Sequence, residues 1–221
     1  MQNIVLPSQP RIIKEEANAG SYEIDGLYPG YGHTLGNSLR RIILSSLPGA
    51  AITSVKIAGA AHEFSTLEGV KEDVVSIILN LKRVRFNLSG GEPQTITLTV
   101  KGSKEATAAS FECPGQVTVL NPEQPIASLS GKSAALDIEA RVEQGLGYVP
   151  KEMLQKERVD IGAIALDAIF TPVRRVNYEV ENMRVGDRTD FNRLRFFIET
   201  DGTIAPREAL TKSIQIMLEQ L

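Results

Sequence analysis

The sequence predicts an α+β fold in two domains: an antiparallel sheet carrying two helices, interrupted by an inserted, mainly-β domain with one helix. Two observations carry this. Segments of helical periodicity stand near both ends of the chain, each beside strand-like alternation. The middle is mostly short alternating segments punctuated by glycine and proline, with one helical stripe among them. That order favours a domain built from both termini with a second domain inside it. At 221 residues the chain can hold one large domain or two small ones with proper cores. It shows no internal repeat and no low-complexity tract.

Residues 11–28 alternate weakly, with Tyr22 and Ile24 on one face, and read as strand. A helix follows to about Leu47. Loose glycines lead into Thr34, placed as the N-cap, and Pro48 and Gly49 stop the helix. Leu35, Leu39, Ile42, Ile43 and Ser46 recur at helical spacing and define a buried face. Asn37, Arg41 and Ser45 line the opposite face with Leu44 among them, a mixture that suits a partner better than water. Ile52, Val55 and Ile57 fall in a strand. A second helix is placed from about Gly69, with the stripe Val70, Val74, Ile77, Ile78 and Leu81.

Val84 to Leu88 and Thr95 to Lys101 read as strands joined across Ser89-Gly90-Gly91, and Gln116 to Leu120 adds another. In Ser133 to Gln144, Ala135, Asp137, Glu139 and Arg141 alternate with Leu136, Ile138, Ala140 and Val142. Gly145 to Asp160 is rich in Gly, Pro, Lys and Glu and reads as a surface loop. Val173 to Val185 and Leu194 to Thr200 are strands, Asp201-Gly202 is a tight turn, and Pro206 opens a last helix at its favoured first position.

The formal net charge of -3 disfavours wholesale binding to nucleic-acid phosphates. Cys113 is the only cysteine, which excludes an internal disulfide and a cysteine-rich zinc site and fits a reducing cytoplasm. No charged segment followed by an apolar run opens the chain, and no apolar run is long enough to span a bilayer. The loop Gly30 to Gly36 approaches a dinucleotide fingerprint. It is one residue too long, it lacks the acidic residue about twenty positions on, and it lacks a Lys-Ser/Thr ending. A tight turn into a helix explains its glycines. His33 and His62 have neither cysteine partners nor a His-x-x-x-His spacing. The carboxylates are scattered, not gathered as two-metal phosphoryl transfer requires. We therefore expect no catalytic residue, no metal and no cofactor in this chain.

Basic residues cluster at Arg40-Arg41, Lys82-Arg83 with Arg85, Arg174-Arg175, and Arg184, Arg188, Arg193 and Arg195. Aromatic interleaving is absent, so a single-strand platform is disfavoured. Arg193 and Arg195 fit either ion pairs with the abundant Asp and Glu or an interface. In the last helix Leu210, Ile214, Met217, Leu218 and Leu221 form one stripe, and Ile216 lies off it. Ile216 is either a scattered surface residue or a second contact.

The stretch Gly30 to Ala51 resembles the N-terminal region of the alpha subunit of bacterial RNA polymerase. The resemblance continues in the family's order through His62 to Thr66, Gly69 to Val74, Leu79 to Lys82, Gly145 to Pro150, Pro172-Val173, Tyr178 to Glu181, Arg188 to Asp190 and Asp201 to Pro206. It implies a dimerisation domain of residues 1–48 plus 173–221 and an inserted domain of 49–172 that contacts the large subunits. It also implies a homodimer packed through the first and last helices, with Leu35, Leu39, Ile43, Ile214, Ile216, Met217 and Leu218 as interface candidates. One copy would then hold the beta subunit and the other the beta-prime subunit, with the catalytic metal in beta-prime. Carried over residue by residue, Arg41, Leu44 and Asn37 become beta-contact candidates. Lys82, Val173, Arg174 and Arg175 become candidates for other large-subunit contacts. No membrane and no strong direct nucleic-acid binding are implied, and the expected location is cytoplasmic. Three departures from the family pattern stand out. Leu146 replaces a usual Arg, Ser110 replaces a usual Asp, and the chain ends at Leu221 where many relatives continue to a domain that binds promoter DNA and activators.

Overall fold

The computed structural model describes residues 6–60, 62–131, 133–154 and 162–220. In chain order these form β1 (Arg11–Glu15), β2 (Ala19–Leu27), α1 (Tyr31–Ser45), β3 (Pro48–Ile57), α2 (Val74–Leu81), β4 (Phe86–Leu88) and β5 (Gln94–Lys101). There follow β6 (Glu105–Thr107), a single 3-10 turn, β7 (Phe111–Glu112), β8 (Val117–Val119), β9 (Pro125–Ser128) and β10 (Ala135–Leu146). The chain then runs through β11 (Tyr148–Val149), α3 (Lys151–Leu154), β12 (Ile164–Ala165), β13 (Ala168–Ile169), β14 (Val173–Val185), β15 (Arg188–Thr200) and α4 (Pro206–Glu219). The fold is α+β, and it divides into a unit of residues 1–47 with 171–221 and a unit of residues 48–170. The divisions fall one or two residues from the positions taken from the resemblance, because Pro48 already belongs to β3 and the loop before Val173 to the terminal unit.

The terminal unit is a four-stranded antiparallel sheet in the order β1-β2-β15-β14. Helix α1 lies on β14 and β15, α4 reaches β15 and β2, and the two helices touch each other. The core between helices and sheet holds Tyr22, Ile24, Leu39, Ile43, Leu47, Val176, Leu194, Phe196, Ile198, Ala209 and Leu210. Residues 11–28 are thus a hairpin and not one strand. Glu16 donates its N–H to the Ala19 carbonyl (2.7 Å) to turn the chain around Asn18, a residue type suited to turns. Helix α1 starts three residues before Thr34, which sits inside the first turns with its hydroxyl donating to the Gly30 carbonyl (3.4 Å). It ends at Ser45, capped by Ser46, two residues short of the expected Leu47.

The inserted unit is built on a seven-stranded antiparallel sheet, with the path β7-β5-β10-β3-β4-β8 and β12 added alongside β3. In β10 the residues Leu136, Ile138, Ala140 and Val142 are buried and Ala135, Asp137, Glu139 and Arg141 exposed, the alternation a half-buried strand requires. Helix α2 covers the buried face with Val74, Ile77, Ile78 and Leu81. It begins at Val74, later than Gly69, because the Asp73 carboxylate accepts the Ser76 N–H (2.9 Å) as N-cap, while Val70 instead bridges Leu129. Strands β4 and β5 are consecutive but not neighbours, since β3 and β10 lie between them. Residues 145–154 are not a loop. Gly145-Leu146 ends β10, Tyr148-Val149 pairs Ala168-Ile169, and Lys151 opens the one-turn α3. The remainder of that segment lies outside the described residues.

Candidate assembly surfaces

Helix α1 is held at its start and along its length by the sheet of its own unit. Gly30 sits at the N-cap with φ 86°, a left-handed backbone that an L side chain resists. Its N–H and that of Gly32 both donate to the Oδ1 of Asn192 (2.9 and 3.2 Å) on β15. One turn on, a Cβ at Gly36 would stand 2.6 Å from the Tyr178 ring, so the absent side chain lets α1 press onto β14. The glycines between Gly30 and Gly36 therefore serve a cap and a close helix–sheet approach. Helical repetition from there buries Leu39 and Ile43 and turns Asn37, Arg41 and Ser45 outward.

Arg41 is exposed, and among the described residues its guanidinium has no ion pair. The Ser45 hydroxyl donates to the Arg41 carbonyl (2.7 Å), which occupies that hydroxyl within the helix. Leu44 corrects the expectation of a free apolar spot: it is half-buried and packs against the core of its own unit. Arg41 and Asn37 remain the freely presented part of the face.

The dimer candidates divide. Leu39 and Ile43 are buried in their own core, which removes them as surface a second copy could touch. Leu35, Ile214, Ile216 and Met217 are half-buried against that core, and Leu218 is 66% exposed. Ile216 and Leu218 have thus exchanged the places read from the sequence. Ala209 and Ser213, small residues, are fully buried, and helical spacing from them puts Ile216 and not Leu218 on the inner side of α4. Leu221 lies outside the described residues.

Val173 is buried, which corrects its assignment as a contact residue. A register shift between Val173 and Arg175 leaves both Arg174 and Arg175 outside. Arg175 pairs with Glu199 (3.2 Å) and lies over the Phe197 ring at 5.0 Å. Arg193 and Arg195 resolve towards ion pairs. Arg193 donates to Asp25 (2.6 Å), and Arg195 to Glu23 (2.5 Å) and Glu181 (2.9 Å). The side chain of Glu23 is only 2% exposed, and Arg11 from β1 also pairs with it. Hydrogen bonds from Arg195 and then Arg11 hold its carboxyl below the usual carboxylate range. Arg193 stands 3.5 Å from it as well, and sequence alone did not single out Glu23, because Arg193 and Arg195 come from the distant β15 and Arg11 from the other strand of the hairpin.

In the inserted unit Lys82 follows the last turn of α2, and its ammonium stands 3.5 Å from the Asp167 carboxylate. It borders a cleft of about 290 Å³ with Phe64, Val75, Ile78, Leu79 and Leu166. Phe64 is 76% and Leu79 53% exposed, large apolar groups left open to water. Phe64 and Leu79 stand in segments that carry the resemblance but were not named as site residues, and Asp167 was not singled out at all, since Phe64 and Asp167 reach Lys82 only through folded loops.

Groups proposed for other chemistry are dispersed. His33 and His62 are exposed, and the His62 ring faces the Ser65 hydroxyl (3.3 Å). Cys113 is half-buried, and burial pushes its thiol up. Among the described residues no three His, Cys, Asp or Glu side chains are gathered to hold a metal, and no helix is long and apolar enough to cross a membrane.

An α+β unit split by an antiparallel insert defines a class of two-unit, insert-bearing folds. Residues 55–171 match the family model described as the RNA polymerase Rpb3/RpoA insert domain. Over 219 residues the chain is 47% identical to the DNA-directed RNA polymerase subunit alpha of Roseiflexus castenholzii, covering 99% of this chain and 67% of the relative. For the same subunit of Herpetosiphon aurantiacus the identity is 45%, covering 99% and 65%. For that of Syntrophomonas wolfei it is 48%, covering 96% and 69%. The chain belongs to the bacterial DNA-directed RNA polymerase alpha-subunit family. It spans about two thirds of the length of these relatives.

Proposed function

We propose that this chain is the non-catalytic assembly scaffold of a cytoplasmic bacterial RNA polymerase. Two copies dimerise through the outer residues of α1 and α4, and the dimer recruits the beta and beta-prime subunits. The observation that carries this is Arg41. It is a guanidinium on a helix held by its own sheet, beside Asn37, without an ion pair among the described residues, whereas Arg193 and Arg195 are engaged by carboxylates of their own sheet. A planar fork of that kind pairs bidentately with a carboxylate or carbonyls on a partner. Half-buried Leu35, Ile214, Ile216 and Met217, with exposed Leu218, supply the apolar surface for a two-fold contact. Lys82, Arg174 and Arg175 supply further contacts to the large subunits, and nucleotidyl transfer belongs to those subunits.

The test is light scattering on the purified chain, followed by reconstitution with beta and beta-prime. A dimer alone and a single large complex after mixing are expected. A monomer at micromolar concentration, or a dimer that leaves beta and beta-prime unbound, would overturn the reading. Turnover of nucleoside triphosphates by the chain alone would overturn its non-catalytic part.

A further inference from the structure

Asp167 sits in the short turn between β12 and β13, yet its carboxylate gathers groups from three other segments. Oδ1 accepts the backbone N–H of Lys151 (3.0 Å), the first residue of α3. Oδ2 stands 3.5 Å from the ammonium of Lys82, at the end of α2. The Asp167 carboxylate is also close to the Tyr148 hydroxyl on β11, which desolvation first, and then the charges of Asp167 and Glu152, push above its ordinary value. The Lys151 N–H, with Lys82 and Lys151 as nearby cations, holds the Asp167 carboxyl below the usual range, so it is ionised at neutral pH. Lys151 in turn reaches Glu63 (3.5 Å) across the same cleft, whose floor is Val75, Ile78, Leu79 and Leu166.

We propose that Asp167 is the positioning residue for Lys82 in large-subunit recruitment, an inference that rests on the reading of Lys82 as a contact. A lysine carries a flexible four-carbon stem, and ordering it on binding is costly. A carboxylate fixed by a backbone N–H sets where that ammonium waits. The 3.5 Å separation is at the outer limit of a hydrogen bond, so the three N–H donors of Lys82 are not consumed. The cation is thereby held beside open apolar surface, ready for a partner's acceptor, and less freedom is lost on binding.

A double-mutant cycle tests this, with capture of beta and beta-prime by the dimer as the readout. Asp167→Asn keeps an oxygen for the Lys151 N–H and removes the charge, so the melting temperature should hardly move. Lys82→Ala and Asp167→Asn should each weaken capture roughly five- to tenfold. The double variant should be no weaker than Lys82→Ala, and Asp167→Glu should recover part of the loss. Asp167→Asn that captures as the unmodified dimer does, or that adds its full effect to Lys82→Ala, overturns the positioning role while leaving Lys82 a contact. Lys82→Ala with undiminished capture overturns both.

Discussion

Asn192 closes the helix that begins at Gly30, although some 160 residues separate them in sequence. Its Oδ1 accepts the N–H of Gly30 (2.9 Å) and of Gly32 (3.2 Å), and its amide nitrogen approaches the Asn182 oxygen (3.3 Å). Two of the donors that a helix leaves unpaired at its start are met by the neighbouring strand. The same bond sets where α1 begins, and so which of its residues face outward.

Asn192→Ala should accordingly cost about 0.5–2 kcal/mol, the range for a lost helix cap. For a chain of this size that is a fall of roughly 2–4 °C in melting temperature per kcal/mol. Asn192→Asp, which keeps the acceptor, should recover most of it. Calorimetry on the three proteins decides. An unchanged melting temperature for the alanine variant would mean that water replaces the cap.

Gly36→Ala should destabilise despite the higher helix propensity of alanine. The added Cβ would meet the Tyr178 ring at 2.6 Å and Leu194 at 3.1 Å. Overpacking of this kind costs about 1–3 kcal/mol, against about 1 kcal/mol gained from propensity. Urea unfolding of Gly36→Ala measures the balance, and pairing it with Tyr178→Leu should relieve part of the loss.

Glu23 is the carboxylate on which Arg11, Arg193 and Arg195 converge. Its folded pKa is depressed, so the stability it contributes is present above the usual glutamate range, about 4.3, and is lost as pH falls through the folded value. Glu23→Gln should cost roughly 2 kcal/mol at pH 7, less than a fully buried pair because its arginine partners are partly solvated. The difference between the two proteins should shrink towards pH 3. Urea midpoints at pH 7 and pH 3 check both statements, and a constant gap would assign the effect to packing.

What the sequence made legible was local. The alternation in Ala135 to Val142 placed every side chain of that stretch on its observed face, and Pro206 marked the first position of α4. What stayed hidden depended on partners distant in sequence. Thr34 offered a cap by composition, but Asn192 supplies it. An apolar stripe placed Leu218 inward, but Ser213, polar and small, is the residue fully buried, with its hydroxyl satisfied by the Leu210 carbonyl (2.7 Å). Arg41 was legible as exposed because its position on the helical wheel is a local property. Asp167 was not, because Lys82 lies 85 residues away.

Arg41 and Leu44 are neighbours on α1 with different structural duties, and that difference makes the sharpest test of the scaffold reading. Arg41 is exposed and has no ion pair among the described residues, so Arg41→Ala should leave melting temperature and dimerisation unchanged. Truncating a desolvated Arg anchor at an interface costs about 2 kcal/mol or more, roughly thirtyfold in affinity, so capture of beta should fall by that order. Leu44 is half-buried against the core of its own unit, so Leu44→Ala should lower stability by about 1–2 kcal/mol before any partner is present. Sedimentation, thermal unfolding and capture of beta by the two variants separate the roles. An Arg41→Ala dimer that binds beta with unchanged affinity makes that guanidinium a solvated surface group and moves the beta contact off this face of α1.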